Sequence, residues 1–226
     1  MKTFRQNYSF KVEPKSYNLD LLDVCFDQAQ TFFDMGCGRG DWAGFLIDRY
    51  GLKFDCFDVD KSNEQIAKDR FAEYLVAEEA DSRHFDVVFV SFVTEFVPPE
   101  EMHEFVNQIR SKLKPDGKVY LSSAFYAPFS LKWLIYRILG MGNPQQYFLR
   151  NKYIRNFMTQ KEVLSYFIGA GFKVVTSTRG SLAPRLPRLL DRVARALIPF
   201  PLFYDTAYFI LEIDNAFQLQ LSQMKV

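Results

Sequence analysis

Three glycines and two carboxylates, spread over two neighbouring apolar segments, are the residues of this chain best suited to chemistry. Asp34 is followed by Gly36, Gly38 and Gly40, and Asp58 ends the next apolar run. Glycines let the backbone adopt positive φ and let a ligand lie against bare peptide, because no Cβ stands in the way. Gly-x-Gly alone is a weak motif, but here an apolar strand precedes it and a helix-forming stretch follows it. The pattern predicts a loop that holds a nucleoside cofactor.

The residue at position 41 separates two classes of cofactor. A dinucleotide site of the form Gly-x-Gly-x-x-Gly would need glycine there, since the pyrophosphate sits at the helix N-terminus and the helix packs closely. Asp41 stands there instead, and its charge would repel a pyrophosphate. The observed order Asp-x-Gly-x-Gly-x-Gly resembles the first motif of class I S-adenosylmethionine-dependent methyltransferases. A carboxylate before the glycines suits the cationic amino group and the sulfonium of that cofactor.

The resemblance assigns further residues to the cofactor S-adenosylmethionine. An acid at the place of Asp58 accepts hydrogen bonds from both ribose hydroxyls, and a charged acceptor makes such bonds about twice as strong as neutral ones. Asp60 competes for this role, or it caps the following helix. Val59 would face the adenine, which Ala77 or Glu78 would contact from the third strand. The residues expected at the cofactor are Asp34, Gly36, Cys37, Gly38, Asp58, Val59, Ala77, Glu78, Ser91 and Phe92, the last two beside its methionine part.

Strands and helices alternate along the chain, which predicts a parallel sheet covered on both faces. The predicted strands are 31–35, 54–59, 74–77, 85–91, 118–122, 171–175 and 208–213. The turn at 113–117 and the phrase Ala170-Gly171-Phe172 also resemble the same family. The fold class is therefore α/β, a Rossmann-like, doubly wound, seven-stranded sheet, mostly parallel with the last strand antiparallel. Such sheets bind ligands beyond the carboxyl ends of their strands.

Length and charge fit one domain that acts on a small partner. The chain has 226 residues, 48% of them hydrophobic, which suffices for one well-buried α/β domain and is too short for two. The expected domain is 1–226, with 123–156 and 180–204 as insertions that cover the acceptor site. The formal net charge of +1 argues against nucleic-acid binding through bulk electrostatics.

The cysteines and the N-terminal residues indicate the cellular compartment in which the protein is expected. Cys25, Cys37 and Cys56 form no Cys-x-x-Cys pair, so neither a metal site nor a disulfide is expected. The first residues carry lysine and arginine without the apolar stretch that export requires, so a cytoplasmic location is expected. The longest apolar segment, 129–141, is interrupted by basic residues and is too short to span a bilayer.

The resemblance also implies a mechanism. In methyl transfer from a sulfonium the cofactor supplies the reactive carbon, and the protein mainly aligns the two reactants. A neutral hydroxyl acceptor would gain about 10² to 10⁴ in rate from a general base. His84 precedes a strand, opposite the crevice, and His103 lies beside the apolar face of a helix, so no histidine base is expected. Glu95, Tyr126 or Tyr153 would then act as the base, or the acceptor arrives already nucleophilic.

The acceptor pocket is expected to form from 123–156 and from the stretch between the last two strands. Pockets for small organic ligands are mostly apolar with a few polar groups, and aromatic rings crowd the first of these segments. They are Phe125, Tyr126, Phe129, Trp133, Tyr136, Tyr147, Phe148 and Tyr153, although such rings also serve to cover a sheet. The expected acceptor is small, and aromatic or lipid-like. Methyl transfer to RNA or protein, and a non-catalytic nucleoside-binding protein of the same fold, are the alternatives.

A basic amphipathic pattern occupies 185–198. Arg188, Arg192 and Arg195 fall on one side of the predicted helix, with leucine and valine side chains beside them. Such a helix can pack on its own domain, lie on an anionic membrane or lipid substrate, or contact RNA. Packing on the domain is the favoured interpretation, and membrane contact is the first alternative.

Overall fold

The computed structural model describes residues 16–76, 84–127, 131–139, 158–179 and 205–216. Within these ranges six strands form one sheet: β1 (Thr31–Met35), β2 (Lys53–Phe57), β3 (Phe85–Ser91), β4 (Leu113–Phe125), β5 (Phe172–Arg179) and β6 (Asp205–Ile213). The helices of the same ranges are α1 (Ser16–Phe26), α2 (Asp41–Tyr50), α3 (Lys61–Arg70), α4 (Met102–Ser111), α5 (Leu131–Ile138) and α6 (Gln160–Gly169). Short 3₁₀ turns lie at Ala72–Tyr74, Thr94–Phe96 and Pro99–Glu101.

The strand order is β2-β1-β3-β4-β6-β5. β1 pairs in parallel with β2 and β3, and β3 pairs in parallel with β4, whereas β6 runs antiparallel to both β4 and β5. The predicted mostly parallel sheet with an antiparallel last strand is confirmed. After β1 the chain moves to β2 on one side and then returns to β3 on the other side, so the strand order reverses at β1. Open sheets bind ligands beyond the carboxyl ends of the strands at such a point.

The described residues form six strands, so the predicted count of seven is wrong for this part of the chain. At the predicted strand 74–77, the chain instead completes a 3₁₀ turn over Ala72–Tyr74 and forms a single parallel bridge between Leu75 and Phe54. The N–H of Val76 donates to the Phe54 carbonyl at 2.9 Å. Because the turn takes up Tyr74, the start of the predicted strand, the described residues up to 76 form one bridge with β2 rather than a longer ladder.

Alternation along the strands divides the core between two faces of the sheet. Phe32, Phe54 and Phe89 pack in one cluster with buried residues of α1, α2 and α3. Val88 packs in the other cluster, with buried residues of α4 and α6. Successive side chains of a strand point to opposite faces, so Asp34, two residues after Phe32, faces the α1 and α2 side. The side-chain carboxyl of Asp34 therefore lies at the carboxyl end of β1, on the face of the sheet that α1 and α2 cover.

β4 is longer than the predicted strand 118–122 and contains a break in register. Leu113 pairs with Phe85, and the pairing resumes with Lys118 opposite Val87. More residues of β4 than of β3 lie between these two pairs, so 114–117 project from the ladder. This is where the sequence predicts a turn.

Candidate cofactor and acceptor site

The glycine-rich loop after β1 is held against both neighbouring strands. The N–H groups of Gly36 and Cys37 both donate to the Phe57 carbonyl at the end of β2, at 2.7 and 3.1 Å. Gly36 has φ +85°, and a Cβ there would lie 2.4 Å from Cγ2 of Val93 in the loop after β3. Glycine is therefore needed at this position, both for its backbone angle and for the close approach of Val93.

Gly38 has open space where a side chain would stand. Its φ is +52°, and apart from its own atoms and its two chain neighbours no heavy atom lies within 4 Å of the place of a Cβ. Its N–H donates to Oδ2 of Asp58 at 2.8 Å. The loop is thus tied to the carboxyl end of β2 by a charge-assisted hydrogen bond, while its outer face stays accessible to a ligand.

Asp58 and Asp60 have separate structural roles. The side chain of Asp60 is the N-cap of α3 and accepts hydrogen bonds from the N–H and the Oγ of Ser62, at 3.0 and 2.6 Å. Asp58 accepts from the N–H of Asp60 through Oδ1, at 2.9 Å, and lines the cavity described below. Asp58, which the sequence favours over Asp60 for the ribose, lines the cavity, and Asp60 does not.

Asp34 is a buried carboxyl with an unpartnered oxygen. It is 2% exposed, and its Oδ2 has no hydrogen-bond partner among the described residues. Burial raises the pKa of Asp34 to about 8, and the negative charge of Asp58 adds to the rise. A buried polar atom without a partner costs free energy. A cationic group of a ligand would supply the partner and favour the ionised carboxylate.

A cavity of about 440 Å³ lies at the carboxyl ends of β1, β2 and β3, beside the start of α4. Its apolar lining includes Phe57, Val59, Phe92, Phe96, Val97 and Phe105, and its acidic lining consists of Asp58, Glu101 and Glu104. Pockets for small molecules measure about 300 to 1,000 Å³ and are mostly apolar with a few polar groups. Val59 is 89% exposed, which leaves its side chain free to be covered by a ligand.

The structure brings some of the predicted cofactor residues together and leaves others beside the cavity. Gly36, Asp58, Val59 and Phe92 line it. Asp34, Cys37, Gly38 and Ser91 belong to the adjoining loop and strand ends and do not contribute to the lining. Ala77, Glu78 and Tyr153 lie outside the described residues.

Sequence reasoning missed the part of the lining that comes from beyond β3. These residues are Val93, Phe96, Val97 and Pro98 of the loop, and Glu101, Glu104, Phe105 and Gln108 at and after the start of α4. The helical spacing of the apolar residues Met102, Phe105, Val106 and Ile109 predicts which side of α4 packs on the sheet. The pattern carries no signal that the first turns of the helix also reach the end of β2, because that contact depends on the path of the preceding loop.

Phe92 has a strained backbone at the cavity. Its φ of +56° is the one positive value at a non-glycine residue within the described ranges. The left-handed conformation costs such a residue about 1 to 2 kcal/mol. The N–H of Phe92 donates to the Ser122 carbonyl at 2.8 Å, which continues the pairing of β3 with β4 and holds this geometry. Strain of this kind concentrates at functional sites, which supports a role for Phe92 beyond packing.

Two of the three predicted catalytic residues are described, and both lie on the β4 side of the crevice. Oε2 of Glu95 accepts a hydrogen bond from the Oγ of Ser123 at 2.7 Å. Tyr126 directly follows β4, and its N–H donates to the Met158 carbonyl at 3.1 Å. Burial raises the pKa of Glu95 to about 7, although the hydrogen bond from Ser123 opposes the rise. Glu95 is therefore the group suited to accept a proton near neutral pH.

Neither histidine lines the cavity. His84 immediately precedes β3, at the amino end of that strand, and His103 packs edge-on against Tyr166 with ring centroids 4.6 Å apart. That catalysis uses no histidine base stays a prediction.

Cys37, within the glycine-rich loop, is a buried thiol. Its Sγ donates to the Gly38 carbonyl at 3.4 Å. The hydrogen bond with Cys56, together with burial, raises the pKa of the Cys37 thiol far above its ordinary value, so it stays protonated. The three cysteines are free, and the described ranges contain no group of three or more His, Cys, Asp and Glu side chains placed to hold a metal ion.

The close approach of Gly36 to Val93 gives a first testable prediction. We expect Gly36→Ala to lower the free energy of unfolding by about 2 to 4 kcal/mol. The alanine would have to adopt a left-handed backbone conformation, and its Cβ would overlap the side chain of Val93. For a domain of this size each kcal/mol lowers Tm by about 2 to 4 °C, which a thermal melt measures. Gly38→Ala is the matched control, because only its backbone angle is unfavourable. Equal Tm losses in the two variants would contradict the Val93 contact.

Comparisons with known proteins agree with this geometry. A family model described as a methyltransferase domain matches residues 13–177. A malonyl-[acyl-carrier protein] O-methyltransferase of Acetivibrio thermocellus is 28% identical over an alignment of 130 residues, and the match covers 53% of this chain. The match covers 45% of that relative, so this chain spans less than half of its length.

Solved structures share the fold. An S-adenosylmethionine-dependent methyltransferase from Archaeoglobus fulgidus superposes with a TM-score of 0.57 at 18% identity, covering 88% of this chain and 92% of that one. Geranyl diphosphate C-methyltransferase from Streptomyces coelicolor gives a TM-score of 0.58 at 13% identity, with coverages of 88% and 80%. At these identities the likeness establishes the shared fold.

The chain belongs to the methyltransferase domain family, which confirms the class predicted from the glycine-rich loop. The family model describes a methyltransferase domain, and the cofactor predicted from the sequence is S-adenosylmethionine. The residues present fit that cofactor on three observations: the unpartnered buried oxygen of Asp34, the open peptide at Gly38, and the carboxylate of Asp58 at the cavity. Which of these residues hold the cofactor stays a prediction.

Proposed function

We propose that this chain transfers the methyl group of S-adenosylmethionine to a small, aromatic or lipid-like acceptor. The observation that carries the proposal is the arrangement of Asp34, the glycine-rich loop and Asp58 around one crevice. When bound, the cofactor supplies the electrophilic methyl group. Asp34 would face its positive charge, the Gly38 peptide would lie against it, and Asp58 would accept hydrogen bonds from the ribose hydroxyls.

Two features support a small acceptor. The charge of the chain is balanced, which gives no general attraction to the phosphates of RNA. Aromatic side chains are concentrated at the end of β4 and after it, where Phe125 is buried and Tyr126 is half-buried. By name, the Streptomyces coelicolor structural neighbour methylates geranyl diphosphate, a small lipid-like molecule. The full activity of the Acetivibrio thermocellus relative is a weaker guide, because this chain covers less than half of it.

Calorimetry separates this function from its alternatives. We expect S-adenosylmethionine and S-adenosylhomocysteine to bind with measurable heat, and NADH to give none. Untargeted metabolite profiling should then show, in cells lacking the protein, a small molecule that is lighter by one methyl group than its counterpart in normal cells. Cofactor binding together with a methylated RNA or protein, and no such small molecule, would point to the macromolecular alternative. Absence of binding would overturn the proposal.

A lipid-like acceptor raises the question of whether the predicted basic helix at 185–198 contacts membranes. This segment lies outside the described residues. Within those residues, none of the helices is both long enough and apolar enough to cross a bilayer. Since packing on the domain is the favoured interpretation, we expect reversal of Arg188, Arg192 and Arg195 to glutamate to leave co-sedimentation with anionic vesicles unchanged. A clear loss of co-sedimentation would establish membrane contact instead.

A further inference from the structure

Two buried hydroxyls and one carboxyl form a directed hydrogen-bond chain at the carboxyl ends of β3 and β4. Thr94 Oγ1 donates to Ser123 Oγ at 2.7 Å, and Ser123 Oγ donates to Oε2 of Glu95, also at 2.7 Å. Thr94 and Ser123 are each 1% exposed, whereas Glu95 keeps partial exposure. The hydroxyl protons of Thr94 and Ser123 therefore both point along these hydrogen bonds towards the accessible carboxyl of Glu95.

The three hydrogen-bonded side chains connect the loop beside the cofactor cavity to the strand that leads into the segment where the acceptor is expected. Val93 and Phe96, which flank Thr94 and Glu95 in sequence, line the cavity. The carboxyl of Glu95 instead turns towards Ser123 on β4, whose end leads into the segment 123–156. The carboxyl thus lies beside residues of the cavity wall and contacts Ser123, the first residue of the segment predicted to form the acceptor pocket.

We propose that Glu95 is the general base of this methyltransferase, that Ser123 and Thr94 position it, and that the acceptor carries its proton on the reacting oxygen or nitrogen. The inference rests on the proposed methyl transfer to a small molecule. It favours a hydroxyl or an ammonium as the acceptor group over a carboxylate, because a carboxylate would meet the negative charge of Glu95 in a partly buried place.

The proton transfer balances without a further reactant. For a hydroxyl acceptor, an oxygen lone pair would form the new bond to the methyl carbon while the proton moves to the carboxylate of Glu95. An ammonium acceptor would first give its proton to Glu95, because its nitrogen has no lone pair until then. In both cases the electron pair of the broken carbon–sulfur bond would stay on sulfur, and the proton would leave Glu95 to solvent after product release. Ser123 stabilises the carboxylate before the transfer, since a charged acceptor strengthens the hydrogen bond that it receives.

The surroundings of Glu95 set its protonation near neutral pH. Burial raises its pKa to about 7, while the hydroxyl of Ser123 on β4 and the backbone N–H of Glu95 itself lower it. Within the described residues, no charged side chain contributes to this shift. Removal of the Ser123 hydroxyl should therefore move the titration of Glu95 to higher pH. If the serine only supported the fold, its replacement would leave this titration unchanged.

The test compares Glu95→Gln, Ser123→Ala and, as the matched control, Glu100→Gln, an exposed acid that does not line the cavity. Purified protein is incubated with methyl-labelled S-adenosylmethionine and a small-molecule extract of cells lacking the protein. We expect labelled products that resist mild base, as ethers and amines do and methyl esters do not. We expect Glu95→Gln to lower transfer by about 10²- to 10⁴-fold, with wild-type affinity for S-adenosylhomocysteine.

A second readout does not depend on turnover. The infrared band of a protonated carboxyl, taken as the difference between wild type and Glu95→Gln, should titrate near pH 7 and shift upwards in Ser123→Ala. The acidic limb of the pH–rate profile should shift in the same direction. Undiminished transfer in Glu95→Gln, a base-labile product, or an unshifted band would overturn this inference alone. No transfer by the wild type would overturn the proposed function and the inference with it.

Discussion

Replacing Asp58 by alanine is expected to weaken the binding of S-adenosylmethionine by about 10²- to 10⁴-fold. Hydrogen bonds to a charged group are worth about 1.5 to 3 kcal/mol each, and two ribose hydroxyls would lose their acceptor. The same change frees the N–H of Gly38, which now donates to Oδ2 of Asp58, and so removes one tie of the glycine-rich loop. Isothermal calorimetry with the cofactor and with S-adenosylhomocysteine measures both losses together.

Asp60→Ala is the matched control for this prediction. Asp60 is two residues away, but its side chain serves as the N-cap of α3. Loss of such a cap costs about 0.5 to 2 kcal/mol of stability, and the affinity for the cofactor should stay near that of the wild type. The opposite result, weak binding in Asp60→Ala and normal binding in Asp58→Ala, would assign the ribose to the other acid.

The sequence predicts the part of the site that local rules control. Strand β1, the glycines after it and the acid at the end of β2 follow from apolar runs, backbone freedom and the position of charge at strand ends. The buried face of α4 is another such case, because Met102, Val106 and Ile109 recur at helical spacing and are all buried. Each of these features depends on residues close together in sequence.

The features that the sequence could not predict depend on distant parts of the chain. The apolar run at 74–77 favours a strand, but its first residue, Tyr74, belongs to the preceding 3₁₀ turn. Phe96 and Phe105 look like core residues in a chain with many phenylalanines, and they become cavity residues because the loop after β3 and the start of α4 pass beside β2. The burial of Asp34, which sets its protonation, likewise depends on helices from separate segments.

Two carboxyls with opposite environments thus act on the same crevice. Asp58 is tied by backbone N–H groups from both sides, whereas the buried Asp34 has an oxygen that no described group satisfies. A ligand that combines hydroxyls with a positive charge would match both carboxyls, and S-adenosylmethionine is such a ligand.

Asp34→Asn is expected to weaken cofactor binding by about 10²- to 10⁴-fold above pH 8, because removal of one partner of a buried charge pair costs about 3 to 5 kcal/mol. In the ligand-free protein the pKa of Asp34 is about 8, so the carboxyl is protonated at neutral pH. Binding of a cation favours the ionised form and releases a proton. Affinity of the wild type should therefore rise about tenfold per pH unit up to pH 8 and then level off.

The variant should lose this pH dependence, and the proton release should disappear from calorimetry performed in buffers of different ionisation enthalpy.

The stability of the ligand-free protein should change with pH in the opposite direction to the cofactor affinity. The pKa of Asp34 is higher in the folded protein than its ordinary value of 3.8, so the folded state holds more protons between about pH 4 and pH 8. The free energy of unfolding of the ligand-free wild type should fall as pH rises through that window. Asp34→Asn should be spared this loss and melt at a higher temperature than the wild type at pH 9, with the gap closing towards pH 4. A pH-independent affinity in the wild type would show that the buried carboxyl does not pair with the charge of the cofactor.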